Sequence, residues 1–264
     1  MNISDEIVNS GVELLWDCHE KKQSIGPLST RMPNLTIEMA YKISQSICRR
    51  RIQLHNDKLI GRKIGLTSQS VQRQLGVHEP DFGYLTHAMQ IPNSGKIPMA
   101  GLRWPKIETE LAFKLKSSLD GSDFDEEAII EATEWVAPCL EIIDSRIENW
   151  NIKIQDTVAD NASAAFFVLG KAVSPAGLDF KRATMLMKQN GSVVSTGTGA
   201  DCLGHPALAV AWLARKLASL GEPLQKGELI LAGAWGPVCA VKAGDFFNSE
   251  LAGIGQVEVH FGQS

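Results

Sequence analysis

The apolar positions at the start of the chain recur at helical spacing. Ile3, Ile7 and Val8 begin a pattern that runs to residue 22 and predicts an amphipathic helix. A connection rich in Pro, Ser and Thr, GPLSTRMPN, follows this helix. A second helical pattern covers residues 36–57, and Thr36 has the residue type expected of its N-cap. Residues 1–58 are therefore predicted to form a helical cap region.

From residue 59 the pattern changes to short apolar runs separated by Gly, Pro and Asp, which is typical of a largely antiparallel β body. The segment KQNGSVV carries an Asn-Gly turn between two such runs and predicts a hairpin. Two helices are predicted within the body, over residues 125–136 and over HPALAVAWLARKLASLG. The strand CLEIID is predicted to begin after Pro138. No internal repeat or linker divides residues 59–264, so they are predicted to form one β-rich body.

The alternation in PKIETELAFKL is that of a strand, and it places Glu108 and Glu110 on the same face. Two carboxylates at this spacing lie roughly 7 Å apart at the backbone, and they repel each other unless a positive charge lies between them. Glu141 in CLEIID supplies a third carboxylate from another strand. Three carboxylates would make an all-oxygen site of the kind that Mg²⁺ or Mn²⁺ requires. The alternative is that these are solvated glutamates on exposed strand faces.

Two further charged residues lie in apolar surroundings. Lys63 stands between two glycines in LIGRKIGLT, where a lysine is costly unless it has an anionic partner or a lowered pKa. Asp81 follows a proline in EPDFG. Either residue has a simpler interpretation, since Lys63 could lie at the surface of an edge strand and Asp81 could cap its own backbone. His205, before a predicted helix, is interpreted as a helix-terminal residue that bonds its neighbours rather than as a catalytic group.

Charge and cysteine content exclude several classes of function. The chain has 26 basic and 30 acidic residues and a net charge of −4, which does not favour a nucleic-acid partner. The N-terminus lacks the pattern of a signal peptide, and no apolar run is long enough to span a membrane, so a cytoplasmic protein is expected. Five scattered cysteines without a C-x-x-C pair indicate neither structural zinc nor a disulfide framework.

Seven blocks, taken together and in this order, carry a family resemblance: GRKIGLTS, QLGVHEPDFGYL, PKIETELAF, LEIIDSR, DTVADNAS, LGHPALAVAWLARKLASLGEPL and GDFF. The chain resembles the 2-keto-4-pentenoate hydratase and 4-oxalocrotonate decarboxylase family, a branch of the fumarylacetoacetate hydrolase superfamily. The resemblance runs from about residue 25 to the C-terminus, and an ordered set of blocks is far more specific than any one of them.

This resemblance implies an α+β fold, a distorted and mostly antiparallel β-roll with an N-terminal helical cap and flanking helices. It also implies Mg²⁺ or Mn²⁺ as the cofactor and a small 2-oxo or 2-hydroxydienoic acid as the substrate. The matching site residues are Glu108, Glu110 and Glu141 as metal ligands, Lys63 and Asp81 as catalytic groups, and Leu75, Asp160 and Ser163 as substrate-binding residues.

The expected reaction is hydration of 2-hydroxypenta-2,4-dienoate to 4-hydroxy-2-oxopentanoate in the meta-cleavage degradation of aromatic compounds. The blocks DTVADNAS, WLARKLASLGEPL and GAWGP favour it over the alternative, decarboxylation of 4-oxalocrotonate. A third hypothesis is a non-catalytic partner subunit of such an enzyme. The resemblance further implies a homo-oligomer that associates with another enzyme of the pathway.

Two features of the sequence bear on substrate contacts. Many superfamily members have Thr-Gly after the late apolar strand, whereas this chain has Ala232 before Gly233 and so lacks a hydroxyl there. Alternation along the strand puts Lys106 in phase with Glu108, whereas the facing of Arg146 cannot be fixed, and the sequence offers no clear site for a second carboxylate of a substrate. The sequence therefore predicts that a five-carbon monoacid is preferred over a six-carbon diacid.

Overall fold

A computed structural model describes residues 3–68, 72–73, 76–121 and 123–263. The chain begins with the helices α1 (Ile3–Glu20), α2 (Leu28–Arg31) and α3 (Ile37–His55). The predicted N-cap is confirmed, because the Thr36 side chain accepts a hydrogen bond of 3.2 Å from the Met39 N–H. Asn56 ends α3 in the left-handed conformation that asparagine tolerates better than most residues.

The strands of the body form two sheets in the described residues. They are β1 (Leu59–Gly65), β2 (Asp81–Thr86), β3 (Gln90–Ile91), β4 (Lys96–Ile97), β5 (Lys106–Leu115), β6 (Thr133–Ile143), β7 (Ala164–Leu169), β8 (Thr184–Gln189), β9 (Ser192–Thr198), β10 (Leu229–Ala234), β11 (Cys239–Ala240), β12 (Phe246–Leu251) and β13 (Gly255–Phe261). The eight-stranded sheet has the order β2-β1-β10-β5-β6-β7-β3, with β11 added beside β5. The five-stranded sheet has the order β4-β13-β12-β8-β9.

Most neighbouring strands are antiparallel, and the parallel pairs are β1 with β10, β3 with β7, and β4 with β13. The predicted mostly antiparallel α+β architecture is therefore confirmed. The main apolar core contains Ile107, Leu111 and Phe113 of β5 together with Val257 and Val259 of β13, so it lies between the two sheets. The residues that alternate with them on β5 include both predicted glutamate ligands, which face away from this core.

The predicted hairpin and late helix are both confirmed. Strands β8 and β9 pair antiparallel, and Asn190 and Gly191 in the turn between them both have positive φ. The helix that begins at Pro206 ends at Ser219, and the imidazole Nδ1 of His205 accepts a hydrogen bond of 3.1 Å from the Ala207 N–H. His205 therefore bonds the helix terminus, as its position in the sequence indicates.

The predicted secondary structure of the segment before Pro138 is wrong. A helix is predicted over residues 125–136, but the helix ends at Ala132 and β6 begins at the next residue, so Pro138 lies inside the strand. The carbonyl of Pro138 accepts a hydrogen bond of 2.8 Å from the Gly170 N–H, on the β7 side. The missing N–H of the proline belongs to the same side, where the pairing with β7 ends, so the pairing with β5 loses nothing. The β-branched and aromatic residues of TEWV complete the strand.

Three later helices follow the cap in chain order among the described residues. They are α4 (Glu126–Ala132), α5 (Ile154–Ala159) and α6 (Pro206–Ser219).

The helical cap shares an apolar cluster with the body. Leu15 of α1 and Ile43 of α3 are fully buried in a cluster that also contains Ile147, Val158 and Ala159. The division of the chain at residue 58 stays a prediction, because this cluster contains residues from before and after residue 58. No described helix combines the length and apolar character needed to cross a membrane. The five cysteines are all free thiols.

Candidate metal and substrate site

The three predicted carboxylates meet at the junction of β5 and β6. Glu108 lies directly opposite Glu141 in the antiparallel register, and Glu110 lies two residues further along the same face of β5. Each residue offers one carboxylate oxygen, and these oxygens all lie within 4.8 Å of one another. Glu110 and Glu141 are buried and Glu108 is partly buried. The register of one strand pair thus brings together the glutamates of two distant sequence motifs.

The electrostatics of this cluster favour a bound cation. Burial, followed by the charge of Glu141, raises the pKa of Glu108 to about 7, although Lys63 acts in the opposite direction. Burial also raises the pKa of Glu110 well above its usual range, and both neighbouring glutamates add to this effect. Charges held this close are costly in a buried site unless a counter-charge compensates them.

The donor set fits a hard divalent cation. Oε1 of Glu110 and Oε2 of Glu141 are buried without a hydrogen-bond partner in the described part of the chain, and Oε1 of Glu141 lies 3.2 Å from the Lys63 ammonium nitrogen. Oε2 of Glu110 is fixed by the Gly233 N–H at 2.8 Å, which leaves Oε1 free to bind an ion. Carboxylate oxygens are the ligands that Mg²⁺ and Mn²⁺ prefer, and neither histidine nor thiol belongs to the cluster.

Lys63 and Asp81 lie next to this cluster on the two paired strands β1 and β2. Gly83 is opposite Lys63 and Gly65 is opposite Asp81 in the register, so each charged side chain faces a glycine. A Cβ atom at Gly65 would lie 2.2 Å from Oδ1 of Asp81, so the carboxylate occupies the space that a larger residue would fill. Lys63 Nζ lies 3.2 Å from Glu141 Oε1. Gly65 therefore creates room for the two buried charges, whereas Gly61 allows the close approach of the Leu229 backbone on β10.

The protein's own groups shift the pKa values of these two residues upward. Burial lowers the pKa of Lys63, but Glu141, Glu108, Asp81 and Glu110 together outweigh burial, and the net shift is upward. Of the two alternatives that the sequence left open for Lys63, an anionic partner or a lowered pKa, the protein's own groups provide the anionic partner. Burial raises the pKa of Asp81 to about 6. Near neutral pH, this arrangement gives a protonated Lys63 and an ionised Asp81.

Residues 161–163 form a left-handed turn that reaches the site. Asn161, Ala162 and Ser163 have φ values of 58°, 47° and 58°, a conformation that costs roughly 1–2 kcal/mol per residue outside glycine. The Asn161 side chain accepts a hydrogen bond of 2.7 Å from the Tyr84 N–H and donates one of 3.0 Å to the Tyr84 carbonyl. The Ala162 carbonyl accepts a hydrogen bond of 3.1 Å from Lys63 Nζ. The turn therefore holds Lys63 in place.

A cavity of about 870 Å³ opens onto these groups. Its wall includes the predicted residues Lys63, Asp81, Glu108 and Ser163. The wall also contains residues for which the sequence analysis assigned no contact, namely Thr67, Thr157, Lys106, Trp150, Thr196 and Val238. A cavity of this size is typical of a site for a small molecule.

Among the described residues, one predicted substrate contact, Asp160, does not belong to this wall. Asp160 is buried away from the cavity, and its carboxylate is engaged by the Arg146 backbone N–H at 2.8 Å and by the Arg146 guanidinium. Both oxygens of this carboxylate bond Arg146 and fix its loop, and the predicted substrate contact of Asp160 stays a prediction. Leu75 lies outside the described residues, so its predicted contact stays a prediction.

A threonine from another segment supplies a hydroxyl group beside strand β10, where the sequence of that strand has none. Ala232 is fully buried and does not line the cavity, whereas Ala234 does. At Gly233 the strand bulges with φ +109°, and an added Cβ would lie 2.4 Å from the Thr67 side chain. A hydroxyl is therefore present beside this strand, but Thr67 supplies it. Thr67 belongs to the motif GRKIGLTS. Its contact with Gly233 on β10 could not be read from that motif.

The family model described as fumarylacetoacetate (FAA) hydrolase C-terminal matches residues 62–261. The chain belongs to the fumarylacetoacetate hydrolase family, which confirms the resemblance found in the sequence. It is 43% identical over 259 residues to the 2-hydroxyhexa-2,4-dienoate hydratase of Comamonas testosteroni, covering 97% of this chain and 98% of that one. It is 46% identical over 248 residues to the 2-keto-4-pentenoate hydratase of Paraburkholderia xenovorans (strain LB400), covering 94% and 92% of the two chains.

Among solved structures, the chain is similar to the 4-oxalocrotonate decarboxylase from Pseudomonas putida G7 complexed with magnesium and adipate. The TM-score is 0.93 at 32% sequence identity, and the similarity covers 99% of each chain. Both named activities of the family are therefore represented among the similar proteins.

Proposed function

We propose that this protein is a metal-dependent hydratase that converts 2-hydroxypenta-2,4-dienoate to 4-hydroxy-2-oxopentanoate in meta-cleavage degradation of aromatic compounds. The strongest support is the identity of 43% and 46% to two hydratases over more than nine-tenths of the chain. The cluster of three glutamates beside Lys63 supports a catalytic role over that of a non-catalytic partner subunit, since a scaffold has no need for such a cluster.

We assign the metal to Glu108, Glu110 and Glu141, with Mg²⁺ or Mn²⁺ as the ion. When bound, the divalent cation supplies Lewis-acid stabilisation of negative charge on a substrate oxygen. Magnesium is named in the complex of the structurally similar decarboxylase. We also propose that the protein is located in the cytoplasm, assembles as a homo-oligomer and associates with another enzyme of the pathway. Light scattering of the purified chain and a pulldown from the native source test the two assembly proposals.

We further propose that Asp81 and Lys63 move the protons. Asp81, with a pKa of about 6, is suited to take the proton of the 2-hydroxyl group near neutral pH. Lys63 is protonated there and can supply a proton to C5 of the diene, which gives an α,β-unsaturated 2-oxo acid. Water then adds its hydroxyl to C4 and its proton to C3. The hydroxyl groups of Ser163 and Thr67 in the cavity wall can hold the substrate or this water.

Decarboxylation of 4-oxalocrotonate is the second candidate, because the fold matches that decarboxylase with a TM-score of 0.93. Purified protein with Mg²⁺ should be incubated with 2-hydroxypenta-2,4-dienoate and, separately, with 2-oxohex-3-enedioate, while water addition and CO₂ release are followed. We expect hydration of the monoacid. Release of CO₂ from the diacid with negligible hydration of the monoacid would identify a decarboxylase, and activity toward neither would favour the partner subunit.

The metal assignment has its own test with a matched control. Glu108→Gln should lose Mg²⁺ binding and activity together, and EDTA should abolish the activity of the unmodified protein. Glu134→Gln changes an exposed glutamate on β6, the strand that carries Glu141, and should leave both properties intact. Full activity in protein shown by elemental analysis to be free of metal would contradict the assignment.

A further inference from the structure

A lysine lies in the outer part of the cavity, where the wall is still in contact with solvent. Lys106 is the first residue of β5, and it lies two residues before Glu108 in the same cavity wall. Lys106 and Trp150 are half-buried, and Val238 in this wall is 40% exposed. Lys63, in contrast, is buried. A ligand that enters along this wall therefore meets Lys106 before it reaches the buried carboxylates.

Trp150 holds the Lys106 ammonium group in a defined place. Lys106 Nζ lies 4.2 Å from the centroid of the Trp150 ring, within the range of a cation–π interaction. The indole Nε1–H of Trp150 donates a hydrogen bond of 3.0 Å to the Trp104 carbonyl, which fixes the ring. Asn149 and Trp150 both have positive φ, at 57° and 56°, an uncommon backbone conformation that brings the ring to the lysine.

The charge of Lys106 is not neutralised by an ion pair. In the described part of the chain no carboxylate lies within 4.0 Å of its ammonium group, whereas Lys63 in the same cavity has Glu141 at 3.2 Å. An aromatic ring attracts a cation without removing its charge. The positive charge of Lys106 therefore acts on the cavity and on the solvent in front of it.

The other charges of the site make this cation important for an anionic ligand. Five carboxylates belong to the metal cluster or to the cavity wall, namely Asp81, Glu108, Glu110, Glu141 and Asp201. Lys63 and a bound dication together compensate three of these negative charges, and Lys106 compensates one of the remaining two. The net charge of a cleft governs how fast a charged ligand enters it, so without Lys106 the cavity would repel an anion more strongly.

We propose that Lys106 is a capture residue, which accelerates the entry of a monoanionic 2-oxo acid but does not contact the carboxylate of the bound molecule. This inference rests on the proposed function, because that function places an oxygen of the substrate at the metal. Lys106 and Glu108 are roughly 7 Å apart at the backbone, and Trp150 keeps the ammonium group at the outer wall. Its effect therefore belongs to the association step and decreases as salt screens the charge.

The association rate of a compound that cannot be hydrated tests this role. Protein loaded with Mg²⁺ should be mixed with 2-oxopentanoate in a stopped-flow instrument, with tryptophan fluorescence as the signal, at low and high ionic strength. We expect Lys106→Met to lower the association rate constant roughly five- to tenfold at low ionic strength, and less than about twofold at high ionic strength. The dissociation rate constant should stay within about twofold of that of the unmodified protein.

Three controls separate the charge of Lys106 from other effects. Lys106→Arg keeps the charge and should retain most of the association rate. Lys116→Met removes an exposed lysine just beyond the other end of β5 and should leave the rate unchanged. The uncharged 2-oxopentanamide should associate equally fast with the unmodified protein and with Lys106→Met.

Two results would overturn the inference. One is an unchanged association rate in Lys106→Met, or in Lys106→Gln if the former does not fold. The other is a loss of affinity caused by faster dissociation, which would mean that the ammonium group contacts the bound carboxylate. The measurement needs no turnover, so a protein with the expected rate constants but no hydration of the diene would contradict only the proposed reaction.

Discussion

At the scale of single residues, the partners Glu141 and Ala162 constrain the role of Lys63. Its ammonium group lies beside Glu141 and donates to the Ala162 carbonyl, so it is a counter-charge for the carboxylates in addition to its proposed role as a proton donor. A bound dication and Lys63 compete to neutralise the same cluster. Once the metal is bound, the counter-charge is no longer required and only the proposed proton donation is. The two roles can therefore be separated by experiment.

Lys63→Met is therefore expected to lower kcat roughly a hundredfold or more at saturating Mg²⁺, since a positioned general acid is lost. The affinity for Mg²⁺ should stay equal or increase, because a competing positive charge is removed. Steady-state kinetics and calorimetric titration with Mg²⁺ check these two outcomes. Lys58→Met, at an exposed lysine just before the same strand, is the control. A variant that keeps its rate but unfolds at a lower temperature would show that Lys63 is structural.

The raised pKa values of the carboxylates predict how the effect of the metal depends on pH. In the absence of metal, the folded state holds the Glu108 proton more tightly than the unfolded chain does, because the folded pKa is about 7. The stability that this provides is complete below the ordinary pKa of glutamate and is lost as pH rises toward 7. Metal binds the ionised form, so protons compete with the metal at low pH.

The increase in Tm caused by Mg²⁺ should consequently be small near pH 5 and should grow toward pH 7.5. Thermal unfolding with and without Mg²⁺ at a series of pH values measures this increase. Glu108→Gln should show little increase at any pH, while Glu134→Gln should behave like the unmodified protein. An increase that does not vary with pH would mean that these carboxylates are already ionised throughout the range.

The sequence predicts individual site residues only where a local pattern carries the information. Alternation along β5 places Glu108 and Glu110 on one face, and the structure agrees. Lys106 has the same alternation, but a lysine at the start of a strand usually reaches solvent, so its place over the Trp150 ring could not be inferred. The pairing of Asp160 with Arg146 could not be predicted either, because fourteen positions separate the two residues and no periodicity relates them.

At the scale of elements, the left-handed turn at residues 161–163 is the least favourable piece of backbone near the site. Asn161 compensates through its side chain, which bonds both backbone groups of Tyr84 as a neighbouring strand would. The close approach requires Gly83, where a Cβ would lie 2.4 Å from the Asn161 carbonyl. Asn161 is therefore a positioning residue that acts on the catalytic site through the Ala162 carbonyl and Lys63.

Asn161→Ala should lower kcat at least roughly tenfold without weakening Mg²⁺ binding, since the turn loses the side-chain hydrogen bonds to Tyr84 and Ser44 and its residue best suited to positive φ. Asn161→Gly is the informative comparison, because glycine tolerates this φ but supplies no side chain. We expect Asn161→Gly to lie close to Asn161→Ala in kcat. Activity near that of the unmodified protein in Asn161→Gly would show that only the backbone conformation matters.

Strand β6 shows why element boundaries were harder to predict than element types. The residues before Pro138 have an apolar spacing compatible with a helix, and a proline commonly marks the end of one. Pairing with β5 along the whole of Thr133–Ile143 outweighs this local preference. The register that places Glu141 opposite Glu108 is thus a property of the sheet, and the helix signal gave no indication of it.

At the scale of the whole molecule, the sequence predicts which parts are helical and which are β, but not how distant strands interleave. Strand β10 lies between β1 and β5, parallel to one and antiparallel to the other. This arrangement brings the Gly233 N–H to Glu110, across 123 positions of the chain. Such contacts depend on the closure of long loops, which the pattern of a single segment does not report. The family resemblance supplied what the local patterns could not.

A buried carboxylate is one of the links between the cap and the site. Asp156 of α5 accepts hydrogen bonds from the Ser29 N–H at 2.8 Å, from the Ser29 hydroxyl at 2.7 Å and from the Lys153 N–H at 2.8 Å. The next residue, Thr157, belongs to the cavity wall, and its hydroxyl lies 3.4 Å from that of Ser163. The attachment of the cap and the shape of the cavity thus depend on the same short helix.

Asp156→Ala should lower the free energy of unfolding by about 2 to 3 kcal/mol, because the backbone and hydroxyl donors around it lose a charged acceptor. Ser29→Ala removes one of these bonds and should cost about 1 kcal/mol. The double variant should lose less than the sum of the two, since both changes remove the same hydrogen bond. Because Thr157 moves with α5, Asp156→Ala should also raise KM, whereas the Mg²⁺ affinity should not change. Denaturant unfolding and kinetics measure these quantities, and strictly additive stability losses with an unaltered KM would mean that the cap is attached independently of the site.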